Sequence, residues 1–240
     1  KNGLDPGRMT LIPNWPERAL TTGGSSMSNG FTMAIVHDDI TSAAAQASLV
    51  GPVAKFRVLY IGSVGFAQPI ETVLDAATIL DTMHPEIEFI FVGPDETHDT
   101  VTAEKARRGL SNVRILPFQP TARLLEIMES GDVHLMTLKE EASGLAVPPK
   151  FYSALATARP VILVGPTTCE IARVITDYGA GTVVPERAAQ QLAQTIVDYR
   201  FREDIWFTAQ DGAIKAAAAY TAEDMLRLWV KKVRDVVDHR

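Results

Sequence analysis

A glycine-containing turn, Gly62-Ser63-Val64-Gly65, follows an apolar run that ends at Ile61. Glycines at the end of a strand let backbone N–H groups approach a phosphate, and the start of a following helix favours negative charge. The turn is therefore a candidate anion-binding loop, with Ser63, Val64 and Gly65 as its contact residues. The residues leave one alternative open, an ordinary tight turn between a strand and a helix.

A second candidate is the segment 165–170, Gly-Pro-Thr-Thr-Cys-Glu, which lies between an apolar run and a predicted helix. We expect Thr167 or Thr168 to cap that helix, whose unpaired N–H groups and neighbouring hydroxyls could hold a diphosphate. The candidate contact residues are Thr167, Thr168, Cys169 and Glu170. An ordinary capping segment, in which Glu170 only favours the helix start electrostatically, is the alternative.

A third candidate is Lys150, at the start of a helix predicted for residues 150–158. A lysine beside a helix N-terminus and near a phosphate-binding loop suits an anionic ligand. A solvent-exposed lysine that binds no ligand is the alternative.

Strand-length apolar runs alternate with helical patterns from residue 56 onward. The strands and helices that they predict must position the glycine turn, the segment 165–170 and Lys150. The predicted strands are 56–61, 87–92, 113–116, 132–136, 160–164 and 181–184. The predicted helices are 71–83, 100–109, 121–128 with Thr121 as its cap, 150–158, one ending near 178, 188–199, 202–220 and 222–237. Such alternation predicts an α/β fold, a Rossmann-like parallel sheet with helices on both faces, whose ligands bind at the carboxyl ends of the strands.

Composition excludes several classes of function. The net charge is −6, from 23 basic and 29 acidic residues, which is atypical of a duplex nucleic-acid binder. No apolar run approaches the roughly 20 residues that span a bilayer. The single cysteine, Cys169, excludes a disulfide framework and a structural zinc site, and it fits a cytoplasmic protein. His134 and the other histidines lack metal-ligand spacing, so we expect neither metal nor cofactor.

The order of several short motifs resembles the group 1, or family 4, glycosyltransferases of the two-domain GT-B type. The motifs are Ile12-Pro-Asn-Trp15, Gly62-x-x-Gly65, Phe91-Val-Gly93, Asn112-Val113, Asp132-Val133, Arg159-Pro-Val161 and Glu170-Ile171. The resemblance covers residues 7–20 and about 55–200. It implies the C-terminal, donor-binding half of a bacterial enzyme that retains anomeric configuration and builds polysaccharide or lipid-linked glycans.

The resemblance also implies roles for the candidate residues. The loop 63–66 and the helix start at Thr167, Thr168, Cys169 and Glu170 would grip the diphosphate of a nucleotide sugar, by default UDP-linked. Phe118 would border the base, and Lys150 and Ser153 would lie near ribose and phosphate. The protein would stabilise the leaving diphosphate electrostatically, without a metal.

Three departures from the family pattern leave other functions open. Ser63 stands where many relatives carry an arginine, and Leu145 and Ser153 stand where many carry two glutamates. A non-catalytic module used for binding or scaffolding would fit these departures, and a GT-B-type nucleotide-sugar epimerase is a further alternative.

The resemblance divides the chain into four parts. Residues 1–20 would be an interdomain connector, 21–52 a loop or insertion, and 53–200 the nucleotide-sugar-binding domain. Residues 201–240 would be helices that pack back toward an N-terminal acceptor-binding domain. Because residue 1 is lysine, we expect the chain to begin inside a longer product, with a trimmed start as the alternative. The resemblance implies that the acceptor-binding domain is missing and that this chain alone is inactive. Peripheral membrane association of the full protein stays open.

Overall fold

The computed structural model describes residues 55–65, 68, 70–117, 120–143 and 149–238. Six strands and eight α-helices alternate along these residues. The predicted connector at 1–20 and loop at 21–52 lie outside them, as do Phe66, Phe118 and Leu145.

The strands form one parallel sheet. They are β1 (Phe56–Ile61), β2 (Ile87–Gly93), β3 (Val113–Pro117), β4 (Val133–Thr137), β5 (Val161–Val164) and β6 (Gly181–Val184). Their order is β3-β2-β1-β4-β5-β6, and every pairing is parallel. The chain runs outward from β1 to β3 and then returns to the other side of β1. The order therefore reverses between β1 and β4, which is where open α/β sheets bind ligands.

The helices connect these strands and then close the chain. They are α1 (Glu71–Met83), α2 (Asp95–Arg108), α3 (Thr121–Glu129), α4 (Pro149–Ala156), α5 (Glu170–Tyr178), α6 (Ala189–Phe201), α7 (Glu203–Ala219) and α8 (Ala222–Asp238). A short 3-10 helix, Glu140–Ala142, follows β4. None of the helices in the described part of the chain has the length and apolar character needed to cross a membrane.

The core lies on both faces of the sheet. Along β1, Val58 and Tyr60 pack on the face covered by α1 and α6, whereas Leu59 packs on the opposite face against Ile127 of α3. That opposite face continues over β5, where α4, α5 and α7 cover the strand. Because both faces are covered, the strands are continuous apolar runs, as the sequence predicts. The predicted Rossmann-like fold is confirmed.

Helix starts account for most differences from the sequence prediction. Helix α2 begins at Asp95, five residues earlier than predicted, and the acidic residues Asp95 and Glu96 favour its first turn. The prediction missed this start because most positions of the helix are exposed, so few apolar residues recur at helical spacing. Thr121 is the first residue of α3, and the cap position is occupied by Pro120. Likewise, neither Thr167 nor Thr168 caps α5, whose cap residue is Cys169, with no side-chain cap hydrogen bond.

The last two helices differ in how they pack. Helix α7 lies against α4, α5 and α6, and Trp206 Nε1 donates to the carbonyl of Asp132 at 3.0 Å. Helix α8 buries Met225 but exposes about half of the side chains of Leu226 and Trp229. The residues predicted to be closing helices are therefore helical, with α7 packed on the sheet domain and an apolar face of α8 exposed.

His134, one of the histidines without metal-ligand spacing, lies in β4 with 2% of its surface exposed. Its Nε2 atom is 3.1 Å from the hydroxyl of Thr157, which itself donates to the carbonyl of Ala154 at 2.7 Å. Burial, together with the positive charge of Arg159, lowers the pKa of His134 to about 3. The folded protein therefore holds this ring neutral throughout the ordinary pH range.

We expect His134 to make folding stability depend on pH. Its pKa is about 6.5 in an unfolded chain and about 3 here, so below pH 6.5 the unfolded state binds a proton that the folded state does not. The contribution is complete above pH 6.5 and is lost toward pH 3, by at most about 1.4 kcal/mol per pH unit. Between pH 7 and pH 5, the free energy of unfolding measured with urea should change less steeply with pH for His134→Gln than for wild type. The exposed His98→Gln is the control, and equal slopes for wild type and His134→Gln would contradict the expectation.

Candidate functional site

The loops that follow β1, β2, β4 and β5 meet closely at the carboxyl edge of the sheet. A methyl group at Gly93 would lie 2.4 Å from the carbonyl oxygen of Gly62, and one at Gly165 would lie 2.4 Å from the carbonyl oxygen of Leu138. Backbone therefore packs on backbone here, where a β-carbon would not fit. This edge includes the point between β1 and β4 where the strand order reverses.

The first predicted loop, between β1 and α1, is held by its neighbours. The N–H of Gly62 donates to the carbonyl of Val92 at 2.8 Å, and the N–H of Val64 donates to the hydroxyl of Thr97 at 2.8 Å. The hydroxyl of Tyr60 donates to the carbonyl of Ser63 at 2.8 Å. Ser63 and Gly65 are exposed, whereas Val64 is half-buried against the core. The loop thus presents Ser63 and Gly65 to solvent and turns the Val64 N–H inward.

The structure brings Lys150 to this same loop. Lys150 lies in the first turn of α4 and is half-buried. A methyl group at Gly62 would lie 2.8 Å from Lys150 Nζ, so the ammonium group rests against the glycine backbone. Gly62 has φ +142°, a conformation that favours glycine. A cation and a glycine turn separated by 88 residues in sequence therefore share one place at the carboxyl edge.

The second predicted segment lies at the same edge, two strands away from β1. Thr167 and Thr168 are exposed at the start of α5, and Cys169 is buried with Sγ 3.4 Å from the carbonyl oxygen of Pro166. Cys169 therefore packs in the core. Adjacent strands lie about 4.8 Å apart, so the end of β5, which leads into this segment, is about 10 Å from the end of β1.

The carboxylate of Glu170 is already engaged within its own helix. Arg173 donates to its two oxygens at 2.7 and 3.0 Å and also donates to the hydroxyl of Tyr220 at 3.3 Å. Glu170 raises the pKa of Arg173 further above its usual range through these bonds. Only 10% of the Glu170 side chain is exposed. Its carboxylate therefore stabilises the start of α5 and leaves Thr167 and Thr168 as the exposed groups there.

Ser153 lies one turn into α4 and is 2% exposed. Its neighbour Tyr152 is equally buried, and within the described residues the Tyr152 hydroxyl has no hydrogen-bond partner. Burial raises the pKa of Tyr152. Ser153 therefore contributes little surface to the carboxyl edge, while Lys150 on the same helix contributes more.

Sequence reasoning missed two residues that shape the first loop, Thr97 and Tyr60. Thr97 fell outside the helix predicted from residue 100, so no pattern connected it with the glycine turn. Tyr60 was assigned only to a buried strand. A correct start for α2, two residues after Gly93, would have placed Thr97 in a first helical turn beside the β1 loop.

The chain matches the family model of "Glycosyl transferases group 1" over residues 55–199. It is 30% identical over 137 residues to a probable glycosyltransferase, WbjE, of Pseudomonas aeruginosa, covering 57% of this chain and 34% of that protein. It is 23% identical over 238 residues to a putative colanic acid biosynthesis glycosyl transferase, WcaI, of Escherichia coli K12, covering 98% and 53%. The chain thus spans about half, or less, of these relatives.

Solved structures share the fold at low sequence identity. Sucrose-phosphate synthase of Thermosynechococcus elongatus superposes with a TM-score of 0.68 at 17% identity, covering 83% of this chain and 50% of that one. Anabaena HepE in complex with UDP-glucose superposes with a TM-score of 0.65 at 14% identity, covering 80% and 51%. These similarities show the same Rossmann-like fold that the strand order indicates. The family match covers more than half of the residues, and the chain belongs to the group 1 glycosyl transferases.

Proposed function

We propose that this chain binds a nucleoside-diphosphate sugar at the carboxyl edge of its sheet, as the donor-binding half of a GT-B glycosyltransferase. One observation carries the proposal: the ammonium group of Lys150 rests against the glycine turn at the end of β1, beside the strand-order reversal. A fixed cation beside a backbone turn suits a diphosphate, since charge-assisted hydrogen bonds are the stronger ones.

The remaining candidate groups extend this site along the edge. The exposed loop residues Ser63 and Gly65 would contact one phosphate, and the N–H groups at the start of α5 would attract the other through the helix dipole. Phe118, which follows β3 in the sequence, would border the base. Ser153 would reach ribose only after a local change, because it is buried.

In the proposed reaction the protein stabilises the departing diphosphate while the sugar becomes cation-like. Lys150 and the helix dipole would oppose the negative charge that develops on the leaving group, and such preorganised electrostatics can supply much of a rate enhancement. We propose that configuration at the anomeric carbon is retained, as expected for the family. Transfer would also need a domain that binds the acceptor.

The relatives favour a UDP-linked donor and a glycan acceptor. HepE was crystallised with UDP-glucose, and WcaI carries a name from colanic acid biosynthesis. We therefore propose UDP as the nucleotide, and polysaccharide or lipid-linked glycan synthesis as the role of the whole protein.

The departures at Ser63 and Ser153 favour one second candidate, a module that has lost the donor site. Ser153 is buried, and a serine is a weaker partner for ribose than the glutamate that many relatives carry. Such a module would bind no nucleotide sugar, so a binding measurement separates the two candidates.

Calorimetric titration of the chain with UDP, GDP and their glucose conjugates tests the proposal. We expect one saturable site for UDP and UDP-glucose and weaker binding of the guanine nucleotides, because base contacts are specific while diphosphate contacts are shared. Absence of saturable binding for all four compounds would favour the module without a donor site.

A further inference from the structure

One buried hydroxyl, that of Thr97, fixes two points of the glycine turn. Thr97 is 0% exposed and lies in the first turn of α2. Its oxygen accepts the N–H of Val64 at 2.8 Å, and the same hydroxyl donates to the carbonyl of Gly62 at 3.1 Å. A single side chain thus bridges the backbone on both sides of Ser63.

The packing around Thr97 leaves this bridge little freedom. A methyl group at Gly93 would lie 2.9 Å from Thr97 Cβ and 2.4 Å from the carbonyl oxygen of Gly62. The start of α2, the end of β2 and the glycine turn are therefore in direct contact. Since hydrogen bonds strengthen where water is excluded, this contact should hold the turn in one conformation.

We propose that Thr97 is a positioning residue for nucleotide binding, which it would promote by fixing the backbone of Gly62 and Val64. The proposal rests on the proposed function, because it assigns Thr97 to the same diphosphate site. It also changes the expected role of Val64, whose N–H is directed to Thr97 instead of to a phosphate.

The direction of the Gly62 carbonyl gives this bridge a consequence for anion binding. A carbonyl oxygen is negatively polarised, so one that turned toward a diphosphate would repel it. Donation from Thr97 holds that oxygen toward α2, and Lys150 Nζ lies where a β-carbon of Gly62 would point. The Lys150 ammonium group therefore stays near the proposed site, while the Gly62 carbonyl is directed inward, away from it.

Thr97→Val tests the proposal because valine keeps the shape of threonine but lacks the hydroxyl. Val64 would lose its hydrogen-bond acceptor and Gly62 its donor, so we expect the Kd for UDP to rise roughly tenfold as the turn relaxes. Thr97→Ser restores the hydroxyl and should bind UDP within about threefold of wild type, since only a methyl group is lost. Hydrogen exchange of the amides of residues 62–65 should accelerate in Thr97→Val.

Thr157→Val is the matched control. Thr157 is also buried, and its hydroxyl donates to the carbonyl of Ala154 and contacts His134, at the opposite edge of the sheet. The control should lower the Tm to a similar extent but leave the Kd for UDP and exchange at 62–65 unchanged.

The outcomes separate this proposal from the proposed function. If wild type binds UDP and Thr97→Val binds it equally well, with unchanged exchange at 62–65, Thr97 is only structural and the proposal is wrong. If wild type binds no nucleotide, the proposed function fails, and with it the binding role of Thr97. Faster exchange in Thr97→Val would then show only that Thr97 fixes the turn.

Discussion

Lys150→Ala should weaken UDP binding by at least about tenfold, because a hydrogen bond to a charged group contributes about 1.5–3 kcal/mol. The physical reason is the position of the ammonium group, which lies against Gly62 where the proposed diphosphate would sit. Since Lys150 is only half-buried, we expect the free energy of unfolding to change by about 1 kcal/mol or less. Calorimetric titration with UDP and urea unfolding measure the two effects separately.

Lys215→Ala is the control for this prediction. Lys215 lies on α7, is 65% exposed and pairs with Asp211, so its removal changes the net charge by the same amount on a helix that carries none of the candidate binding residues. Equal loss of UDP affinity in both variants would mean that only overall charge matters, and it would contradict a specific role for Lys150.

Gly62→Ala should lower both the stability of the fold and its affinity for UDP. Its φ of +142° is strained for any residue with a β-carbon, which costs about 1–3 kcal/mol. The new methyl group would also lie 2.8 Å from Lys150 Nζ and would displace the ammonium group. We therefore expect a lower Tm together with a loss of UDP affinity that approaches the loss in Lys150→Ala, because the ammonium group is displaced and not removed.

Gly109→Ala separates these two effects. Gly109 also has a positive φ, +67°, but a methyl group there would meet no atom within 4 Å. This variant should lose stability from strain and keep its affinity for UDP. If Gly62→Ala binds UDP as tightly as Gly109→Ala does, the close contact between Lys150 and the turn has no role in binding.

The parallel sheet was predictable because its strands are buried on both faces and therefore read as short apolar runs. Residues 56–61 and 181–184 were predicted at their observed bounds, as was the helix 71–83, whose apolar residues recur at helical spacing. The start of α2 was not predictable from that signal. Only Thr97 and Val101 are fully buried in this 14-residue helix, so its apolar pattern is too sparse to mark the first turn.

The candidate site was predictable as a set of loops and not as a set of contacts. The parallel direction of the strands places the loops after β1, β4 and β5 at one edge, and this follows from the alternation of strands and helices. The contact between Lys150 and Gly62 depends on how α4 packs, and the inward direction of the Val64 N–H depends on Thr97. Both contacts are set by tertiary packing, for which a single sequence carries no periodic signal.

Glu170 was predicted to contact the ligand, and the structure gives its carboxylate a different partner. Its place at the start of a helix after β5 suggested a ligand contact, but its carboxylate is engaged by Arg173 three residues later. Pairs at this spacing lie on one helix face, so the sequence contained this alternative. The 10% exposure of the Glu170 side chain favours the structural role.

The central claim is that a nucleoside diphosphate binds where the glycine turn of β1 meets Lys150. Amide chemical-shift mapping of the isotope-labelled chain during titration with UDP tests it most directly. We expect the largest saturable shifts at residues 62–65, at the start of α4 around Lys150 and at the start of α5, with small shifts along α8. Saturable shifts confined to α8 or to the outer face of α2, with the β1 turn unchanged, would contradict the claim.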